Sequence, residues 1–254
     1  MVGGVERQAD DVMQAETRSP DSAPSQPEQE RARLRRLRAL LRDRPRRQRL
    51  IFIASVVALG VFALLGFWAQ RLQTLPFDLD VSLGLQGARI ALLGWTMLAL
   101  SIFGYAPWSY LTIGLVALAV GLRVGWRTAA YLTLITGLQG VANLLIKAAV
   151  GRPRPVGSLV DTLTVEQGNS FPSGHVMFYT VFFGFLLFLA WTQLRGRIAR
   201  WAAAVASAAL VAGVGPSRIY LGAHWLSDVV AAYMLGLIIL AFAIEFYLEY
   251  VRPS

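Results

Sequence analysis

Cysteine is absent from the 254 residues, lysine occurs once and histidine twice. Without cysteine the chain can form neither disulfides nor thiolate metal sites. Charged residues are scarce, at 15% against 56% hydrophobic, and the mean hydropathy is +0.52. Past Leu50 the charges lie between long apolar runs, several near the roughly 17 to 25 residues that cross a bilayer. This pattern excludes a soluble globular protein and reads as an all-α, polytopic membrane protein.

Much of the net charge of +9 sits in one block, Arg31 to Arg49, directly before the first apolar run. No nucleic-acid-binding module accompanies it, so nucleic acid is not an expected partner. A basic block beside a span sets topology or contacts anionic lipid headgroups. Leu34, Leu37 and Leu41 recur at helical spacing within the block. Two readings stand for that repeat, an amphipathic helix on the membrane surface and a solvated positive flag. The first thirty residues are polar and acidic, with Pro20, Pro24 and Pro27, and lack the character of a cleavable signal peptide. The expected organisation is a disordered polar tail over 1–30, an Arg-rich juxtamembrane segment over 31–49 and a transmembrane domain over 50–254.

The first span is expected over Leu50–Gln70, followed by Arg71 and a turn-like LPFDLD with Asp78 and Asp80. From Ile90 to Leu122 there is no charge, and Gly104 and Pro107 punctuate the run. Further spans are expected near Thr128–Ala149, Gly174–Trp191, Trp201–Val214 and Leu226–Glu249. Reading Ala88–Phe103 as an interfacial or re-entrant helix leaves six spans. With a cytoplasmic N-terminus, Arg123, Arg127, Arg195, Arg197, Arg200 and Arg252 then all fall inside. Counting it as a span moves those clusters outside, against the positive-inside rule. In the six-span arrangement the polar motifs of the second half share the outer face.

Those motifs hold the only lysine and both histidines. Lys147 opens KAAVGRPRP, and Arg154 follows behind Gly151 and Pro153. A compact ammonium and a planar guanidinium both suit phosphate oxygens; the neighbouring Arg152 is assigned to lipid headgroups. In FPSGH, Pro172 and Ser173 are start-of-helix residues, with Ser173 placed to cap. The helix N-terminus there can hold an anion, Gly174 lets an oxygen approach the backbone, and His175 adds an ionisable ring. In SRIYLGAHWLSD, His224 and Asp228 are four residues apart on one helix face, and Arg218 supplies another cation. An Asp bonded to one ring nitrogen leaves the other free as a nucleophile.

K-x6-R-P, PSGH and SR-x5-H-x3-D resemble, in order and spacing, the three motifs of the type 2 phosphatidic acid phosphatase (PAP2) superfamily, integral-membrane lipid phosphatase branch. The resemblance runs from about Leu50 to the C-terminus. It implies a six-transmembrane-helix bundle and a lipid phosphate as substrate. It further implies metal-independent hydrolysis of a phosphatidic acid-like monoester through a phosphohistidine, with no cofactor. Lys147, Arg154, Ser173, Gly174 and Arg218 would hold the phosphate. His224, oriented by Asp228, would attack phosphorus, and His175 would serve as acid and then base. The same motifs would serve a polyprenyl diphosphate phosphatase, and a catalytically silent lipid-binding protein is the alternative from another class. Arginine in place of nearly all lysine points to a GC-rich genome and a prokaryotic plasma membrane.

Overall fold

The structure is a computed structural model that describes residues 44–88 and 90–252. The tail and most of the Arg-rich segment, including the repeat at Leu34, Leu37 and Leu41, lie outside the described residues. The chain divides into two compact units, residues 1–52 and 53–254. Helix is the regular secondary structure of the described residues, which hold no strand. Helix α1 is Arg44–Arg71, α2 Pro76–Gln86 and α3 Ala91–Ser101. A 3₁₀ turn, Ile102–Gly104, leads to α4, Trp108–Arg123. The remainder comprises α5, Trp126–Val150; α6, Gly174–Gln193; α7, Arg197–Tyr220; and α8, Leu226–Phe246, which continues into a π-helical turn, Tyr247–Val251.

Among the described residues five helices are long and apolar enough to cross a membrane, and the bent pair Ala91–Gly104 and Trp108–Arg123, counted as one span, raises the number to six. The 63° bend falls at the Gly104–Pro107 punctuation. The span expected over Trp201–Val214 is longer in the structure, because Arg197–Tyr220 is one continuous helix. Its polar end, Ser217 and Arg218, is buried against other protein groups, so the helix extends past its apolar segment.

Helix α6 is apolar on every side, and Val176, Met177, Tyr179, Val181, Phe182 and Phe185 are fully buried. A helix of that kind belongs in the middle of a bundle, and α6 packs against α5, α7 and α8. Helix α1 presents Val56, Val57, Leu64 and Phe67 outward, as a lipid-facing span would.

The segment expected to be turn-like, LPFDLD, instead opens α2. Pro76 sits in the first turn, where its missing N–H costs nothing. Asp78 accepts the Leu75 N–H at 2.9 Å, closing the helix start. Asp78, Ser82 and Gln86 are buried while Phe77 and Leu83 face outward, so α2 carries its polar stripe inward. Gln86 donates to the carbonyls of Asp161 (2.7 Å) and Tyr220 (2.9 Å) and accepts the Asp161 N–H at 3.0 Å. This clamp fixes the 151–173 connection over the bundle end where α5 and α7 finish and α6 and α8 begin. The ends bearing Arg123, Arg127, Arg195 and Arg197 lie at the other side of the bundle.

Candidate active site

The last turn of α5 delivers Lys147, whose ammonium donates to the carbonyls of Asn169 and Ser170, the latter at 3.2 Å. Asn169 returns a bond to the Lys147 carbonyl at 2.9 Å, so the lysine and the approach to α6 lock each other. Arg154 lies in the connection and donates to the carbonyls of Gly168 (3.0 Å), Gln167 (3.1 Å) and Ala223 (2.9 Å). Its terminal nitrogen also lies 3.2 Å from Nε2 of His224. Arginine has no acceptor and stays protonated. That contact therefore assigns the lone pair to Nε2 and the proton to Nδ1, the side facing Asp228.

Arg218 sits at the end of α7 with no solvent exposure, paired with Glu166 and bonded to the Tyr105 hydroxyl. One turn earlier the helix ladder takes in a side chain. The Tyr233 hydroxyl accepts the Gly215 N–H at 3.1 Å and donates to the Val211 carbonyl at 2.5 Å. The Tyr233 hydroxyl thus bridges a donor and an acceptor of the ladder beside Pro216 and ties α8 to the turn before Arg218. Glu166 also approaches Arg154, at 3.9 Å. A carboxylate thus lies on two of the candidate phosphate-binding arginines.

Ser173 occupies the N-cap position of α6, but its hydroxyl makes no capping bond and has no partner among the described residues. Its N–H donates to the Asp228 carbonyl at 3.3 Å, which ties the start of α6 to α8. Gly174 opens α6 beside Asn143, whose side chain holds the Pro172 carbonyl at 3.2 Å. Nε2 of His175 is likewise buried without a partner among the described residues. The His175 ring meets the Tyr105 ring edge-on at 4.5 Å and lies flat on Gly104. A Cβ on Gly104 would come within 2.1 Å of His175 Cδ2, so only glycine admits the ring there.

His224 is buried in the α7–α8 turn. That turn passes Gly222 with φ 67, and a Cβ there would meet the Asp161 carbonyl at 2.2 Å. Burial and the nearby cations Arg154, Lys147 and Arg218 push the His224 pKa well below 6.5, so the ring is neutral at pH 7.

Two expectations need correction. The direct His224–Asp228 hydrogen bond is not formed: Nδ1 stands 3.6 Å from Oδ2 and has no hydrogen-bond partner among the described residues. The reason is competition, since Oδ2 already accepts Ser170 Oγ and the Trp225 N–H and Oδ1 accepts Arg152 at 2.5 Å. Nor does Arg152 reach lipid headgroups. It is wholly buried, bonded to Asp228, Asp78 (2.6 Å), Ser227 Oγ (2.7 Å) and the Gln73 carbonyl (3.2 Å). Two carboxylates draw this guanidinium inward.

All the candidate residues therefore converge at one bundle end. Asp78, Tyr105 and Gly104 join them unannounced by the motifs. The inward spacing of Asp78, Ser82 and Gln86, four residues apart in a helix whose other charge, Asp80, is exposed, is the sequence signal that would have found the first.

A family model, the PAP2 superfamily, matches residues 128–252. Over that interval the chain matches the PAP2 superfamily. The matched interval contains every candidate motif residue, whereas Asp78 and Tyr105 precede it. Among solved structures, the chain is similar to the first transmembrane PAP2 type phosphatidylglycerolphosphate phosphatase from Bacillus subtilis. The match has 21% identity and a TM-score of 0.66, covering 78% of this chain and 98% of that one. It is also similar to LpxE from Aquifex aeolicus, with 19% identity and a TM-score of 0.54 over 68% of this chain and 98% of that one. No curated protein matches the chain. The likeness fixes the fold as that of an integral-membrane PAP2 protein.

Proposed function

We propose that this PAP2 protein is a metal-independent membrane lipid phosphatase acting on a phosphatidic acid-like monoester. The observation that carries the reading is the approach of Arg154 to Nε2 of His224 at 3.2 Å, which puts a phosphate-binding cation beside a neutral imidazole lone pair. Lys147, Arg154 and Arg218 take the phosphate oxygens, with the Ser173 hydroxyl and the Gly174 end of α6 completing the cradle. Fixed cations aimed at the equatorial oxygens are the main help a protein gives to phosphoryl transfer. His224 Nε2 attacks phosphorus and the bond to the lipid oxygen breaks. His175 gives that oxygen its proton. A water then loses a proton to His175, attacks the phosphohistidine and releases phosphate. Asp228 faces the Nδ1–H and offsets the charge that develops on the ring. The Bacillus subtilis neighbour is named for a phosphatidylglycerolphosphate, a glycerolipid monoester, and this supports the monoester as the first substrate to test.

His224→Ala is expected to abolish phosphate release from phosphatidic acid, phosphatidylglycerol phosphate and undecaprenyl diphosphate alike, in detergent with EDTA. Full-rate release by a folded His224→Ala protein would sink the nucleophile assignment. A faster rate on the diphosphate would move the substrate to the polyprenyl class.

We further place the site at the extracytoplasmic face of a prokaryotic plasma membrane, with the N-terminus cytoplasmic. The arginines at the far bundle end support this orientation. The absence of native cysteine makes the test clean. Val165, 98% exposed in the 151–173 connection, replaced by Cys should react with a membrane-impermeant maleimide on intact cells; labelling only after lysis would reverse the orientation.

A further inference from the structure

Behind His224 lies a sealed polar cluster that the three motifs do not account for. Asp78 and Asp228 come from α2 and α8, and Arg152 from the connection between α5 and α6. All three are at most 1% exposed. One guanidinium is divided between the two carboxylates, with NH1 on Asp228 Oδ1 at 2.5 Å and NH2 on Asp78 Oδ2 at 2.6 Å. Ser227 links the same two groups. Its hydroxyl donates to Asp78 Oδ2 at 2.8 Å and accepts from Arg152 NH1 at 2.7 Å. Its N–H, in the first turn of α8, donates to Asp78 Oδ1 at 2.9 Å. Asp78 therefore holds the α8 N-terminus directly and shares the cation that grips Asp228. On the far side, Asp228 Oδ2 faces His224 Nδ1.

We infer that Asp78 is a positioning residue for the His224 nucleophile, acting through Arg152 and Ser227 to set both the place and the effective charge of Asp228. The inference rests on the phosphatase reading above. Its physical content is charge sharing. Were Asp228 the only partner of Arg152, the guanidinium would cancel most of the negative potential that Asp228 presents to the imidazole. Asp78 takes half of the fork, so Asp228 keeps charge to face Nδ1. The other ionisable groups around His224 are Lys147 on α5, Arg154 and Glu166 from the connection, His175 on α6 and Arg218 on α7. Glu166 is the one anion among these five, and it is engaged by Arg218. A reduction in the Asp228 charge is therefore not compensated locally.

The sign follows. Removing the Asp78 charge makes the surroundings of His224 more positive, disfavours the imidazolium and lowers the pH at which the ring protonates. In purified full-length protein, Asp78→Asn should lower kcat/KM by about 10- to 100-fold, mostly in kcat. Its acid limb should move to lower pH by about 0.5 to 1 unit. Monodispersity and melting would establish that the variant is folded. The loss should also be non-additive: in an Asp228→Asn background, Asp78→Asn should change kcat by less than about 2-fold. If Asp78→Asn folds poorly, Ser227→Ala serves. It cuts the hydroxyl link and leaves every charge in place, with an expected loss of about 3- to 10-fold and the same non-additivity.

A purely structural Asp78 would lower activity without moving the acid limb and would add fully to Asp228→Asn. That result, or an unchanged kcat/KM, would overturn the inference alone. An inactive wild type, or turnover surviving His224→Ala, would overturn the phosphatase reading and the inference with it.

Discussion

Arg152 and Arg154 stand two residues apart in one connection and live in opposite electrostatic worlds. Arg152 faces two carboxylates, Asp78 and Asp228, and is sealed from solvent. Arg154 shares its surroundings with Lys147, Arg218 and neutral His224, against Glu166 and the carboxylate of Asp228, which Arg152 already engages. The first cluster is balanced toward negative charge and needs nothing more. The second has more cations than anions, with Arg154 leaning largely on backbone carbonyls. A buried surplus of positive charge is costly unless an anion offsets it, and that asymmetry makes the Arg154 side, not the Arg152 side, the place for a phosphate.

The sharpest way to break this comparison is to delete each arginine. Arg154→Ala should lower kcat/KM by about 10²- to 10³-fold, the effect of losing a preorganised donor to transition-state charge, while melting stays near wild type. Arg152→Met should act on the fold instead. It strands two buried carboxylates, and the cost of breaking such a group is about 3–5 kcal/mol. Melting and kinetics on both purified variants decide it. Equal losses of stability, or an Arg152→Met protein as stable as wild type, would erase the distinction.

The motifs made the cationic half legible because Lys147, His175 and His224 are rare residue types in this chain and mark where Arg154 and Arg218 matter. Lysine and histidine outside those motifs are absent, so Lys147, His175 and His224 drew attention. The helical fold and the bend at Gly104–Pro107 were legible for a similar reason, since apolar length and punctuation are local properties. The balanced half was not. Asp78 and Arg152 are 74 residues apart, and each alone resembles a membrane-surface charge. Only the packing of α2 over the α5–α6 connection brings them together. The geometry around Asp228 was hidden likewise. The four-residue spacing to His224 put the two on one face, but the number of other donors competing for the carboxylate cannot be read from spacing.

Glu166 tests the surplus from the anionic side. Its carboxylate lies on Arg218 and approaches Arg154, so a phosphate entering the cradle must displace it or share its partners. Glu166→Gln keeps the shape and removes the competing charge. KM for phosphatidic acid should fall by about 3- to 10-fold, the worth of one hydrogen bond to a charged partner, with kcat changed by less than about 2-fold. An unchanged or higher KM would mean that Glu166 organises Arg218 rather than competing with substrate.

The pH profile tests the same surplus through the nucleophile. Burial first, then Arg154, Lys147 and Arg218, hold His224 below its ordinary pKa. Attack requires the neutral ring, so the acid limb of kcat/KM for the wild type should lie below pH 6.5. Stability follows the same sign. The folded state prefers the neutral ring, so this contribution is complete above the unfolded-state pKa and fades as pH falls through the folded one. Arg154→Gln removes the cation in contact with Nε2 and should raise the acid limb toward 6.5 by about half a unit. Substitution on the balanced side, Asp78→Asn, should move it the other way. Opposite displacements from two variants on either side of one imidazole would locate the charge asymmetry at His224 itself. Displacements in the same direction would mean that both substitutions merely loosen the fold around the ring.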